Sequence, residues 1–587
     1  MLVELAALVA WSAAMRSIRT WICLGLCVGC GDDGVTSGTD TTAATEVGST
    51  GAAASSGDAG ATSEPLPTTG GDTTVAADAT SGSSGPDETA GETGSGAPTV
   101  RLPQAVAGAM AANPASYPVL PVHVAVTGAV DAVTVRLDDG PEVMASAGAG
   151  TWVAAIPVMG TANGPHMLTA TATGSEGVAE AQAELVIDPD GIQWTDVTMD
   201  GKAGTPVLHR RPGDDLLWLS WADGSEGSDR RGWLEPIDGA GRSTGERVAL
   251  TPAGEDVPYA RAAVGQTEIA VYYQLPGGGP YFNRLRVVDF TGAELVAPIE
   301  LEPPGGFGSF GGEIVYDGAA FVATFRSNDG MGGGDVWWIR VEEGSGTVTG
   351  PVKVASSGDG DPDGGFDPFS FVAIAAVDDT RSVITFVRER HNAGLDLALP
   401  KTQLVSVMAD GTVEGPDFVA SGTDLQWHWE GRVDAAGADV MLLWLTDDLN
   451  DPSPTIPTAL RGARVAPAEA VGHDEGAGTV LVQAPETRGE PAFIVTEEAP
   501  GILVWTDQRS YVDLQTGRIE LMARRITDHT LATDAEDTIG HARFIAGSAH
   551  LGGVGAGTNA VVTWIDERHG KGIVDPKPEV YLETIWR

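Results

Sequence analysis

The chain has 587 residues, with 81 acidic against 34 basic side chains and a formal charge of −47. That length predicts two to four domains, while the charge repels phosphate backbones, excludes nucleic acid as a partner and favours cations. All three cysteines, Cys23, Cys27 and Cys30, lie in one N-terminal segment, so no disulfide, thiolate metal site or cysteine nucleophile exists beyond it.

Residues 1–30 read as a targeting segment. From Met15, the expected true start, "MRSIRTWICLGLCVGCGDDG" carries Arg16 and Arg19 ahead of an apolar run over 21–29. That run is too short to span a bilayer. Val28 and Gly29 put small residues directly before Cys30. This resembles a bacterial lipoprotein signal, although Cys27 stands where leucine is usual and Leu26 is one place early. The resemblance implies lipidation of Cys30, a membrane partnership through that anchor, and an outer-membrane or cell-surface location. The other reading is a plain secretory signal cut nearby.

Residues 31–98 are almost wholly Thr, Ser, Gly, Ala, Asp and Glu. Such a stretch buries too little apolar surface to offset its ordering entropy, which predicts a disordered tether.

Residues 99–189 change pattern. Short alternating runs at 122–128, 132–140, 151–158, 166–174 and 179–188 read as strands separated by turn residues. With Asn163-Gly164-Pro165-His166 leading into a late strand, and Trp152 as its one tryptophan, the segment resembles bacterial immunoglobulin-like domains. Membership implies a small β-sandwich serving as a spacer or adhesion element.

Residues 190–587 repeat themselves. Seven apolar runs each carry an aromatic, at Trp221, Tyr272, Phe325, Phe386, Trp444, Trp505 and Trp564, separated by 51, 53, 61, 58, 61 and 59 residues. Units of about 50–60 residues suit four-stranded sheets, so the region predicts a β-propeller of about seven blades, with six or eight as alternatives. The chain ends after the third strand of the last unit, and 192–201 is expected to supply its outer strand. The fold class is therefore all-β: signal and tether, a small sandwich, then a propeller.

The last two units read Trp505-x-Asp507-x-Arg509 and Trp564-x-Asp566-x-Arg568, which resembles a W-x-D-x-R repeat of secreted bacterial propellers. Because the pair recurs, it reads as structural, with Asp and Arg tying the loop after the second strand. A catalytic pair would be unique.

Two features are ligand candidates. "GDGDPDGGFD" at 358–367 aligns Asp359, Asp361, Asp363 and Asp367 with Gly364 at the bend. Alternating oxygens in a tight loop suit calcium, and the spacing resembles short calcium loops of integrin-type propellers and dockerins. It departs from them in Pro362 and in joining two blades; Ser370 stands where an EF-hand needs glutamate. The loop is either a calcium site or a solvated acidic turn. Trp427 and Trp429 in "LQWHWEG" are expected between blades, where they either stack on a ligand or fill the gap.

No G-x-S-x-G elbow, P-loop or H-E-x-x-H motif occurs, and the sialidase-like stretch at 327–338 has the wrong tryptophan spacing. No catalytic residue is assigned, although paired carboxylates for glycoside cleavage stay open. The expected function is binding of a protein or glycan by a lipid-anchored surface protein. The alternatives are a carbohydrate-active hydrolase or lyase working in the propeller funnel, and a structural surface component. Clustered carboxylates with a basic partner in the funnel favour the enzyme; a neutral funnel with an aromatic patch favours binding.

Overall fold

A computed structural model of the chain describes residues 96–587, apart from 149–150, 189–191, 195–203, 224–229, 277–280, 302–310, 328–333, 357–371, 393–396, 421–425, 437–438, 449–458, 467–473, 477, 484–490, 498–500, 508–518, 529, 535–536, 543–550 and 567–578. Among the described residues the protein is all-β, in small sheets that are almost wholly antiparallel.

Residues 99–188 form two sheets around one core. One joins Thr99–Arg101, Val119–Thr127, Trp152–Pro157 and Ser146–Ala147; the other is built on the long hairpin of Gly164–Gly174 and Gly177–Ile187. Strand alternation sets the core. In Val119–Thr127, Leu120, Val122 and Val124 are fully buried, and Leu168, Ala170 and Ala172 face them from the second sheet.

Among the described residues seven sheets follow, each led by an inner strand: Gly204–Arg210, Tyr259–Val264, Gly312–Tyr316, Val372–Asp378, Gln426–Ala436, Ala492–Ile494 and Gly552–Ala556. We call them sheets one to seven. Each inner strand packs on the next, and that of sheet seven packs on that of sheet one. The sheets therefore close into a ring around an axis, which is a β-propeller. Sheet seven has three consecutive strands from the C-terminal end. Its outer strand is Ile192–Trp194, paired antiparallel with Glu579–Ile585 in the register Ile192↔Leu582.

The repeated aromatics explain the spacing. Trp221, Tyr272, Phe325, Phe386, Trp444, Trp505 and Trp564 all lie on second strands and are at most 1% exposed. A second strand is paired on both edges and covered on both faces, so it favours continuous apolar sequence. Separate cores fill the contacts between successive sheets: seven with one, one with two, and so on to five with six. The six-to-seven contact differs, because its core is continuous with that of the sandwich.

A turn repeats as well. Asp289, Asp378, Asp410 and Asp528 each accept from the backbone N–H two residues on, from Thr291, Thr380, Thr412 and Thr530, at 2.8 Å. The aspartate rotates back over its own turn and satisfies the exposed amide, which closes a short hairpin.

Candidate functional site

The inner strands of sheets one, five, six and seven, with the turns that follow them, line a cavity of about 460 Å³. Arg210 of sheet one, Asp434 of sheet five, and Phe493, Thr496 and Glu497 of sheet six line it, with residues 553–555 and Gly557 of sheet seven as the remaining wall. The glycine run explains that wall. A Cβ on Gly555 would lie 2.2 Å from the Val495 carbonyl oxygen, so only a bare backbone lets sheets six and seven approach there.

Asp434 reaches the cavity through strand alternation. Val433 is 2% exposed and packs in the core between sheets four and five, so its neighbour faces the other way. The Phe493 N–H donates to Asp434 Oδ2 at 3.1 Å. Burial pushes the Asp434 carboxyl up to about 6; the Arg432 guanidinium draws it back, and Glu313 pushes it further up. Glu497, an exposed residue, lines the same cavity, and its N–H donates to the Gly557 carbonyl at 2.9 Å. Arg210 Nη1 donates to the Gly555 carbonyl at 3.2 Å.

Further charged groups lie on neighbouring inner strands. Arg432 pairs with Glu313 at 2.9 Å, and Glu313 Oε2 accepts the Ile374 N–H at 3.1 Å. One ion pair thus links sheets three, four and five. Arg261 Nε donates to the Tyr259 hydroxyl, which in turn donates to the Gly312 carbonyl at 2.8 Å. Burial, helped by the Arg261 charge, pushes His209 down to about 3, so its ring is neutral, with Nε2 2.8 Å from Ser220 Oγ. The cavity lining itself holds three charged residues, Arg210, Asp434 and Glu497, among small and apolar ones.

This arrangement can move protons. A carboxyl at about 6 is a competent acid in mildly acidic solution, and a second carboxylate in the same cavity can serve as base or nucleophile. The paired carboxylates of glycoside cleavage divide the work in this way. None of Arg210, Asp434 and Glu497 was singled out by sequence reasoning. The available signal was a pair of aspartates, Asp434 and Asp439, inside an otherwise small-and-apolar stretch, "VDAAGADV" at 433–440.

Other candidates fall elsewhere. Trp221, Trp444, Trp505 and Trp564 are interior packing residues. Asp507, fully buried, accepts the Trp505 Nε1 proton at 3.4 Å. It caps the indole two residues before it on its own strand. Asp566 ends the strand Asn559–Asp566, while Arg509 and Arg568 lie outside the described residues. Trp427 and Trp429 belong by their backbone to sheet five, and their side chains lie outside the described residues. Both residues lie on the inner strand of sheet five, in the register Trp427↔Asp447 and Trp429↔Leu445, because pairing starts at Gln426 and continues through a bulge before Arg432. Asp359, Asp361, Asp363, Asp367 and Cys30 lie outside the described residues. Among the described residues no group of three or more His, Cys, Asp or Glu is placed to hold a metal ion.

No family model and no curated protein matches the chain. Distant structural likenesses exist. A Hadza microbial sialidase has 9% identity and a TM-score of 0.37, over 74% of this chain and 76% of that one. An α-L-arabinanase of Penicillium chrysogenum, complexed with arabinobiose, has 9% identity and a TM-score of 0.35, over 56% and 92%. A quinoprotein alcohol dehydrogenase-like protein from Bacteroides thetaiotaomicron has 10% identity and a TM-score of 0.34, over 74% and 94%. Likeness this distant carries nothing about activity, so function is argued from the cavity.

Proposed function

We propose that the protein is a carbohydrate-active hydrolase or lyase whose reaction centre is the cavity lined by sheets one, five, six and seven. The carrying observation is the pair of carboxylates, Asp434 and Glu497, in one cavity of about 460 Å³ beside Arg210. Asp434, held protonated up to about pH 6, gives its proton to the leaving oxygen. Glu497 acts as the base or nucleophile, and Arg210 holds a polar group of the glycan. A cavity of this size accepts one or two sugar rings.

The test uses the purified full chain on a panel of polysaccharides and aryl glycosides, reading new reducing ends for a hydrolase and ultraviolet absorbance of an unsaturated product for a lyase. Asp434→Asn and Glu497→Gln should each lower turnover by about 100-fold or more with the melting transition retained. No turnover on any substrate, or full activity in both variants, removes the proposal. Binding of a glycan or protein without turnover is the second reading. It is favoured by Trp427 and Trp429 lying on the inner strand of sheet five, and retention on a glycan array without product identifies it.

The wider architecture follows as part of the same proposal: seven blades spanning 190–587, an immunoglobulin-like sandwich at 99–189, a tether at 31–98, and a lipid anchor on Cys30 at the outer membrane. The anchor is supported by the small residues before Cys30. A Cys30→Ala chain that stays with the membrane fraction removes that part alone.

A further inference from the structure

We propose that the N-terminal sandwich is a positioning domain for the cavity, and that Gln104 is its positioning residue for Glu497. The inference rests on the assignment of Glu497 to the reaction centre.

Gln104 is 2% exposed, and its amide is fully engaged. Nε2 donates to the Pro121 carbonyl at 3.0 Å within the sandwich, and to Thr558 Oγ1 at 3.1 Å and Asn559 Oδ1 at 2.8 Å in the propeller. Oε1 accepts the His123 N–H at 2.9 Å. One side chain therefore ties the sandwich to the first hairpin of sheet seven. Buried amides engaged at every position resist displacement, because shifting one partner leaves others unsatisfied.

That hairpin carries Gly557, at φ +59°, whose added Cβ would lie 2.8 Å from the Pro103 carbonyl oxygen. The turn is thus pressed directly against the segment beside Gln104. On its other side the Gly557 carbonyl accepts the Glu497 N–H at 2.9 Å. The route runs from the sandwich amide through Thr558 and Asn559 to Gly557, and from there to the backbone that presents the second carboxyl. Two more ties fix the same region: Trp586 Nε1 donates to the Ala111 carbonyl at 2.8 Å, and the Arg587 N–H to Asn559 Oδ1 at 3.1 Å. The continuous core of sandwich and sheets six and seven makes this a rigid contact. A spacer needs none of these ties.

Amide hydrogen exchange on the full chain tests the proposal without any substrate. In Gln104→Leu, exchange at the Glu497 amide should speed by about tenfold or more. The Gly265 amide, which closes the equivalent hairpin of sheet two onto the Glu268 carbonyl at 2.9 Å, should keep its rate. Thr558→Val, which removes one bond and keeps the shape, should give a smaller change in the same direction and covers a failure of the leucine variant to fold. Unchanged protection at Glu497 overturns the proposal, as does equal acceleration at Gly265, which marks general loosening. With a turned-over glycan in hand, Gln104→Leu should lower kcat at unchanged KM. If no glycan is turned over, the exchange result still stands or falls alone.

Discussion

Asp434→Asn separates the electrostatics of the cavity from its shape. Asparagine keeps an oxygen for the Phe493 N–H and removes only the titrating proton. The Asp434 carboxyl rises from 3.8 to about 6 on folding, chiefly through burial. The folded state thus holds the proton more tightly than the unfolded state. Below about pH 4 both states are protonated and Asp434 costs nothing. As pH rises from 4 to 6 the unfolded chain releases the proton first, so stability falls, and above 6 the loss is constant. That rise corresponds to at most about 3 kcal/mol, a measurable part of a total stability of about 5–15 kcal/mol. Urea unfolding of both proteins at pH 4, 5, 6 and 7 reads it directly. The variant should match the parent at pH 4 and exceed it by a margin that grows to a plateau above pH 6. A constant difference at every pH refutes the assignment of a raised carboxyl. Turnover of the parent should also decline as pH climbs through about 6, where the proton donor empties.

Asp507→Ala should cost about 1–3 kcal/mol, because it leaves the buried Trp505 indole N–H without its acceptor; unchanged denaturant midpoints contradict that role. The turn aspartates Asp289, Asp378 and Asp410 are held below the ordinary carboxylate range chiefly by bonds from their threonines. Their contribution is fully present above pH 4 and is lost as pH falls through the lowered values, so Asp289→Asn should flatten the acid limb of the stability curve, while an unaltered limb rules it out. For the 358–367 loop, a chelator should lower the melting temperature of the parent and leave Asp361→Ala unmoved; no chelator effect in either protein makes the loop a solvated turn.

The propeller was legible because its signal is repeated burial. Each second strand must be apolar on both faces, so Trp221 to Trp564 announced the sheets at their true spacing. The sandwich strands were legible by alternation. The site was not, because Arg210, Asp434 and Glu497 come from sheets one, five and six, and only ring closure brings them together. Local sequence holds no trace of that proximity. For Trp427 and Trp429, "HWEGRVD" mixes polar residues with the Gly431 bulge region, which reads equally as a connection or as a bulged inner strand. For Asp507, the repeat pointed towards Arg509, which lies outside the described residues, while the indole of Trp505 on the same strand is one donor to its carboxyl.

Pairing Ile192 with Leu582 has a consequence for how the protein comes into being. The two residues are about as far apart in sequence as the propeller allows, and contacts this non-local form late and slowly. Until the final residues are delivered, sheet seven lacks three of its strands and sheets one and six each have an uncovered face. A chain in which Glu579–Ile585 has not yet paired therefore carries open, apolar edges, a condition that invites aggregation. The strong acidic excess repels such half-made copies from one another and suits a fold that can be finished only by its last segment.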